Sequence, residues 1–410
     1  MSPASVVERR VVLTTFAGFG VFWGAWAALL PAVQRTVGLG DGALGLALGA
    51  LAVAALPAMP LAGRLADRHG PGEALQLTLL AFALVVPLPA LATGLPGLLV
   101  ALALLGVATG ALDVVANTAA AAWERTEQGT GRKLMSLAHA CFSFGVLGGS
   151  ASAGLAREAG VAPLPVLLLV GGAMAALAAR VPLHRTVPRP AGDAGGLRDG
   201  ARRLSPVLLV IGVLVGGAFL VEDGLQSWSA LHLERGLGAT PAVSGLGLAL
   251  FAGAMGVGRL AAHVLDARVG PARLLGYGGA LTAVGVAALV GLPSTVSALA
   301  GLVVAGAGAS VLAPVLYTAV GLRAAPGRQG ADLAVVSALG YGGFVAGPPL
   351  VGAVSEATSL PFALGTRGVV GVLLAVAGPL VLRSPRSGLS GPAQSRYSEA
   401  GTGKPLKVDA

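Results

Sequence analysis

Apolar runs of about 18–25 residues recur along the chain at 11–33, 43–61, 74–93, 97–119, 139–157 and 161–180. After a polar stretch they resume at 206–231, 242–262, 272–291, 296–319, 333–355 and 361–382. At about 1.5 Å per residue, each run makes a helix that crosses a hydrocarbon layer about 30 Å thick. Inside such a layer the backbone must satisfy its own hydrogen bonds, which leaves helices or a closed barrel. Barrel strands would alternate polar and apolar residues over about ten positions. These runs are longer and do not alternate. The expected fold is an all-α membrane protein with twelve transmembrane helices in two six-helix pseudo-repeats, numbered here as spans 1 to 12. The basic N-terminus (Glu8, Arg9, Arg10) before the run to Val33 is not expected to be a cleaved leader, because the run is too long for one.

Composition excludes the competing classes. Hydrophobic residues make up 55% of the chain and charged residues 11%, too few to cover a soluble protein of 410 residues. The N-terminal half is expected at 1–180, a polar linker rich in Pro, Gly and Arg at 181–205, the C-terminal half at 206–383 and a disordered tail at 384–410. Cys141 stands alone, so no intramolecular disulfide forms. The five histidines are scattered and no phosphate-binding loop or nucleophile–base pair is present, so neither metal, cofactor nor enzymatic activity is expected.

The net charge of +9 is a topology signal rather than a nucleic-acid footprint. With twelve spans, one side collects 23 of the 27 Lys and Arg. The other side keeps only Arg35, Arg157, Arg235 and Arg367, balanced by four acids. The positive-inside rule then puts both termini and the linker in the cytoplasm of a multi-pass protein of the cytoplasmic membrane.

The halves repeat at an offset near 200. Gly45-Leu46-Ala47-Leu48 matches Gly245-Leu246-Gly247-Leu248, and Gly70-Pro71 matches Gly270-Pro271. Gly106, Leu112 and Thr118 match Gly306, Leu312 and Thr318. Such parallel repeats place a solute site between the halves near the midplane, with rocking of the halves giving alternating access. Gly106, Gly110, Gly145, Gly148 and Gly149 are expected to let helices approach closely.

After span 2 comes Gly63-Arg64-Leu65-Ala66-Asp67-Arg68-His69-Gly70. This resembles the G-x-L-a-D-R-x-G signature of the major facilitator superfamily, found in the same loop. The resemblance implies a conformational latch built on Gly63, Asp67, Arg68 and Gly70. Further stretches are similar to the rhizopine-transport (MosC-like) branch and, more distantly, to fucose permeases: Trp26-Ala27-Ala28 with Pro31, Leu112 to Asn117, Met135 to Ala140 with Phe142-Ser143, and Glu222 before Trp228-Ser229-Ala230. That branch often has Asp directly before the tryptophan, where this chain has Ser227, and Gly after the glutamate, where it has Asp223.

Charges inside a bilayer cost about 2.5–3.5 kcal/mol each, so they need a function. Asp113 and Asn117 share a face of span 4, while their repeat equivalents are Ala313 and Tyr317. The fold therefore does not demand a carboxylate there. His139 opens span 5 and could pair with Asp113, Asn117 or Glu124. Glu222, Asp223 and Gln226 form the densest polar cluster within a span. These six residues are the candidates for proton coupling or solute contact. Trp23, Trp26, Trp228, Tyr317 and Tyr341 are candidate cavity aromatics, which could stack on a sugar-like ring. Gly343 to Gly352 in span 11 resembles the G-x-x-x-G-P-x-x-G-G motif of drug–proton antiporters, displaced to the pseudo-equivalent helix.

The expectation is a monomeric secondary transporter whose partners are a small polar solute, protons and the lipid bilayer. Sugars or cyclitols are the solutes that the resemblance implies. Drug or metabolite efflux by proton antiport is the alternative, and a non-transporting membrane sensor is the alternative from another class.

Overall fold

The structure is a computed structural model that describes residues 7–124, 134–181, 206–324 and 329–383. The linker beyond Val181 and the tail beyond Arg383 lie outside the described residues. All regular structure among the described residues is helical.

Nine helical elements among the described residues are long and apolar enough to cross a membrane. The longest, Asp41–Leu91, has 51 residues, about 77 Å of helix and so two crossings. Gly70 divides them. Its φ of 84° and ψ of 158° interrupt the helix Asp41–Val85, and only glycine adopts that geometry without steric cost. Gly270, at φ 83°, makes the same turn before Pro271 in the second half. Spans 5 and 6 are the helices Leu134–Glu158 and Pro163–Ala178. Span 10 is made of two pieces, Thr295–Ala309 and Leu312–Arg323. With these, the twelve expected crossings are all accounted for.

The bundle is apolar outside as well as inside. Leu84, Leu169 and Val296 are each 76% exposed, as lipid-facing positions require. Within the bundle, burial of apolar area cannot drive association against lipid, so close packing must. Span 1 lies on span 5, and span 2 on span 4. A Cβ on Gly145 would stand 2.2 Å from the Ala17 carbonyl oxygen, and one on Gly106 would stand 2.1 Å from that of Leu51. Gly110 and Gly149 are packed in the same way. Gly148 is not: it is exposed, and nothing lies within 4 Å of the position a Cβ would take.

The halves meet through spans 2 and 11 and through spans 5 and 8. One end of the bundle carries the Gly70 and Gly270 turns and is called here the linker end. The opposite end is called the far end. Toward the far end the hydrophobic core is continuous across the halves, from Phe22 and Leu44 through Trp228, Leu233 and Leu302. Toward the linker end the C-terminal half has a separate core, around Ile211, Leu275, Leu316 and Leu374. The halves are therefore joined at one end and parted at the other.

Candidate transport site and its gates

The N-terminal half contributes Asp113 and Asn117 from the helix Gly94–Glu124. Asn117 Nδ2 donates to Asp113 Oδ1 at 3.1 Å and to the Asp113 carbonyl at 2.8 Å. His139 lies within electrostatic reach of Asp113. Its Nδ1 meets the Met135 carbonyl oxygen at 2.9 Å, and its ring lies 5.2 Å from that of Phe16. Glu124 serves a different purpose from pairing with His139: its Oε1 accepts from the Met135 amide at 2.8 Å, capping span 5.

Tyr341 of span 11, in the other half, also lies within electrostatic reach of Asp113. Tyr341 belongs to an aromatic cluster with Phe219, Tyr317 and Phe344. Phe219 and Phe344 stack at 4.5 Å. The tryptophans behave differently. Trp26 is 3% exposed and Trp228 is 0% exposed, so both are core residues in this conformation. Trp23 is half-buried against Phe19 and Phe22.

The C-terminal half contributes two acids from the helix Pro206–Leu231, which continues well past them. Glu222 accepts from Arg259 of span 8 at 3.3 Å and from Gln226 at 3.3 Å. Arg259 thus belongs to this cluster. Asp223 points elsewhere. Its Oδ1 accepts from Ser227 at 3.4 Å, and its buried Oδ2 has no partner.

Arg367, counted among the far-side charges in the sequence, lies within the helix Leu360–Arg383 and is 3% exposed. The guanidinium can be buried because it donates to Gly347 O at 3.1 Å, Ala363 O at 3.4 Å and Thr366 Oγ1 at 2.7 Å. Its Nε remains without a partner. Two glycines make room for this acid and base. A Cβ on Gly347 would stand 3.0 Å from Asp223 Oδ2, and one on Gly224 would stand 2.7 Å from Arg367 Nε. No ion pair joins Asp223 to Arg367. A buried polar atom without a partner costs about 1–3 kcal/mol, more when charged.

The far end is sealed by a crosswise ionic network that the sequence reading does not anticipate. Arg235 is bidentate to Asp41, at 2.7 and 2.8 Å. Asp41 also accepts from Gln34 at 2.9 Å and from Ser355. Arg157 is bidentate to Glu234, at 2.6 and 2.9 Å, and donates to the Ala28 carbonyl at 2.7 Å. Glu234 also accepts from Ser244 at 2.7 Å and Arg35 at 3.1 Å. Glu158 and Glu356 accept backbone amides of Ala242 and Gly42 across the boundary. Glu234 and Arg235 sit in a π-helical turn, His232–Gly236, that ends span 7. The extra residue in its turn re-aims the side chains, and such turns are frequent at functional positions. Two features of the sequence carry this signal. Gln34-Arg35 and Glu234-Arg235 are 200 apart, and the far side holds equal numbers of acids and bases.

The latch that the resemblance implies would involve Asp67 and Arg68 at the linker end. Asp67 and Arg68 are exposed and make no hydrogen bond or ion pair among the described residues. Gly63 is loosely packed, with only Val114 near. The ion pairs and hydrogen bonds that join the halves through pairs of described residues cluster at the far end.

Packed apolar helical bundles, joined at one end by a crosswise ionic network and carrying carboxylates within their spans, have the build of a membrane transporter. The sequence pattern described as the Major Facilitator Superfamily matches residues 11–236 and 211–407. The chain belongs to this superfamily, a family of transporters rather than enzymes. It is 31% identical over 371 residues to an uncharacterized MFS-type transporter of Yersinia pestis, covering 90% of this chain and 93% of the relative. It is 30% identical over 383 residues to the membrane protein MosC of Rhizobium meliloti, covering 92% of this chain and 90% of the relative. Among solved structures it resembles the nucleoside transporter NupG, with a TM-score of 0.72 at 12% identity over 92% of this chain and 99% of that one. It also resembles a D-xylose–proton symporter, with a TM-score of 0.70 at 14% identity over 92% of this chain and 97% of that one.

Proposed function

We propose that the chain carries a small polar organic solute, a sugar, cyclitol or related metabolite, coupled to protons and acting as a monomer. The observation that carries this reading is the placement of Asp113 on one half within reach of Tyr341 on the other. An acid at that boundary senses both the solute and the relative position of the halves. Glu222 with Arg259, and Asp223 near Arg367, supply further groups that can exchange a proton for an ion pair as the bundle rocks. Aromatic faces at Tyr317 and Tyr341 beside amide and carboxylate groups suit a hydroxylated ring. Coupling must come from different affinities of the two conformations for proton and solute.

The charge asymmetry supports placing the linker end in the cytoplasm, with residues 1–180 and 206–383 as the two moving halves joined by 181–205 and followed by the tail at 384–410. The conformation described here is then open inward, with the Asp67 latch released.

The test starts with a thermal-shift screen of sugars, polyols and cationic drugs on purified protein. Hits are then assayed in proteoliposomes under an imposed pH gradient. Asp113→Asn, Glu222→Gln and Asp223→Asn should each abolish uphill movement while leaving solute exchange measurable. Wild-type accumulation in all three variants would refute proton coupling through these groups. Stabilisation by cationic drugs alone would point to efflux, and ligand binding without any exchange would point to a sensor.

A further inference from the structure

A recess of about 540 Å3 opens at the linker end of the C-terminal half. It lies between the turn joining spans 8 and 9 and the ends of spans 10 and 12. Arg273, Arg323 and Arg383 stand around it with Thr318, and no acidic residue lines it. Arg323 is fixed by donating to the carbonyls of Leu382 at 2.7 Å and Val381 at 3.4 Å. Arg273 and Arg383 are exposed and form no ion pair among the described residues. Ala272 and Arg273, also lining the recess, are in the first turn of the helix Pro271–Gly291, where backbone N–H groups have no partner within the helix.

The internal repeat serves as a control. At the offset of 200, Arg273 and Arg323 correspond to Glu73 and Trp123, whereas Thr318 corresponds to Thr118. The fold therefore accepts an acid and an apolar ring at these positions, and the positive charge belongs to this half alone. Along the same helices, one turn deeper into the bilayer, Tyr277 and Leu380 are exposed. The recess thus has a cationic lining, and beyond it along the same helices lie exposed apolar side chains that an acyl chain could follow.

We propose that this recess binds the phosphate of an anionic phospholipid, with its acyl chains lying along Tyr277 and Leu380. Guanidinium forks match phosphate oxygens, and basic pockets between helix ends at headgroup level recognise such lipids. The apolar continuation favours a lipid over a free phosphate ester.

The test uses full-length purified protein in detergent micelles and short-chain phosphatidylglycerol, phosphatidylcholine, glycerol phosphate and inorganic phosphate as probes. Binding is read by native mass spectrometry. Phosphatidylglycerol should bind at least about tenfold tighter than phosphatidylcholine, and Arg273→Gln with Arg383→Gln should weaken it about thirtyfold. The charge-matched control Arg9→Gln with Arg10→Gln should keep wild-type affinity. If the double variant does not fold, Arg383→Gln alone, at the last helical residue, should still show about a fivefold loss. Equal weakening in the control would reduce the effect to bulk charge and overturn the site. Displacement of the lipid by glycerol phosphate or inorganic phosphate at matching concentration would make it a soluble-phosphate site and overturn the lipid assignment.

Discussion

Removing Arg157 should open the far end of the transporter, whereas removing Arg35 should not, although both pair with Glu234. The Arg157 and Glu234 side chains are 3% and 6% exposed, and two bonds at 2.6 and 2.9 Å join them. Breaking a buried pair by deleting one partner costs about 3–5 kcal/mol when the remaining charge stays uncompensated; because Arg35 and Ser244 still donate to Glu234, the cost here falls at the lower end, about 3 kcal/mol. That penalty falls only on the conformation in which Glu234 is buried. It therefore shifts the balance toward far-end opening by more than about a hundredfold. Arg35 is 59% exposed in its pairing, so water already screens it and its loss costs under about 1 kcal/mol. Spin labels at Thr36 and Thr240, exposed positions on opposite halves, report the separation in a Cys141→Ala background. Arg157→Met should broaden the distance distribution to longer values, and Arg35→Met should leave it unchanged. Identical distributions for wild type and Arg157→Met would refute the gating assignment. So would equal broadening in both variants, since the burial difference would then have no energetic meaning.

Two further outcomes follow from residues at the other end and in the packing seams. Asp67→Asn should lower turnover more than it weakens solute binding if the exposed Asp67 is the proposed latch that engages on closure of the linker end; unchanged turnover with a large binding loss in a transport and equilibrium-binding comparison would contradict this. Gly145→Ala drives a Cβ to 2.2 Å from a backbone carbonyl and should lower the thermal midpoint, whereas Gly148→Ala meets nothing within 4 Å and should be neutral or raise it.

The architecture could be read from the chain because membrane helices announce themselves one at a time. Length and apolarity locate each span without knowledge of its neighbours, and the offset between Gly70 and Gly270 exposes the duplication. The candidate site was only half legible for a different physical reason. Asp113 and Glu222 stand out because a charge in an apolar run is costly wherever it faces. Arg367 was passed over as a site residue because it was counted as a topology charge, and its partners, the Gly347 carbonyl and the Thr366 hydroxyl, come together only in the folded bundle. Trp228 illustrates the converse. Indole chemistry suits both a cavity wall and a core, and only its complete burial distinguishes them. The far-end network was hidden because its members lie at span ends, where charges are unremarked. It acquires meaning only once Arg235 is seen to reach Asp41 across the two halves.

The glycine contacts between halves also set a mechanical ratio. Gly45 approaches Gly352, with a Cβ on Gly45 falling 3.0 Å from the partner Cα, and Gly154 approaches Gly245 with the same 3.0 Å figure. These are two bearings, related by the internal duplication, on which bare backbones can roll without interlocking side chains. Both sit near the sealed end, and from Gly45 to Gly70 the helix is about 37 Å long. Each degree of rotation at the bearing therefore swings the opposite tip by about 0.6 Å, so a tilt of about 10° moves it by some 6 Å. Any side chain placed on these four glycines would shift the fulcrum, altering the stroke of the transporter without touching a single charged group.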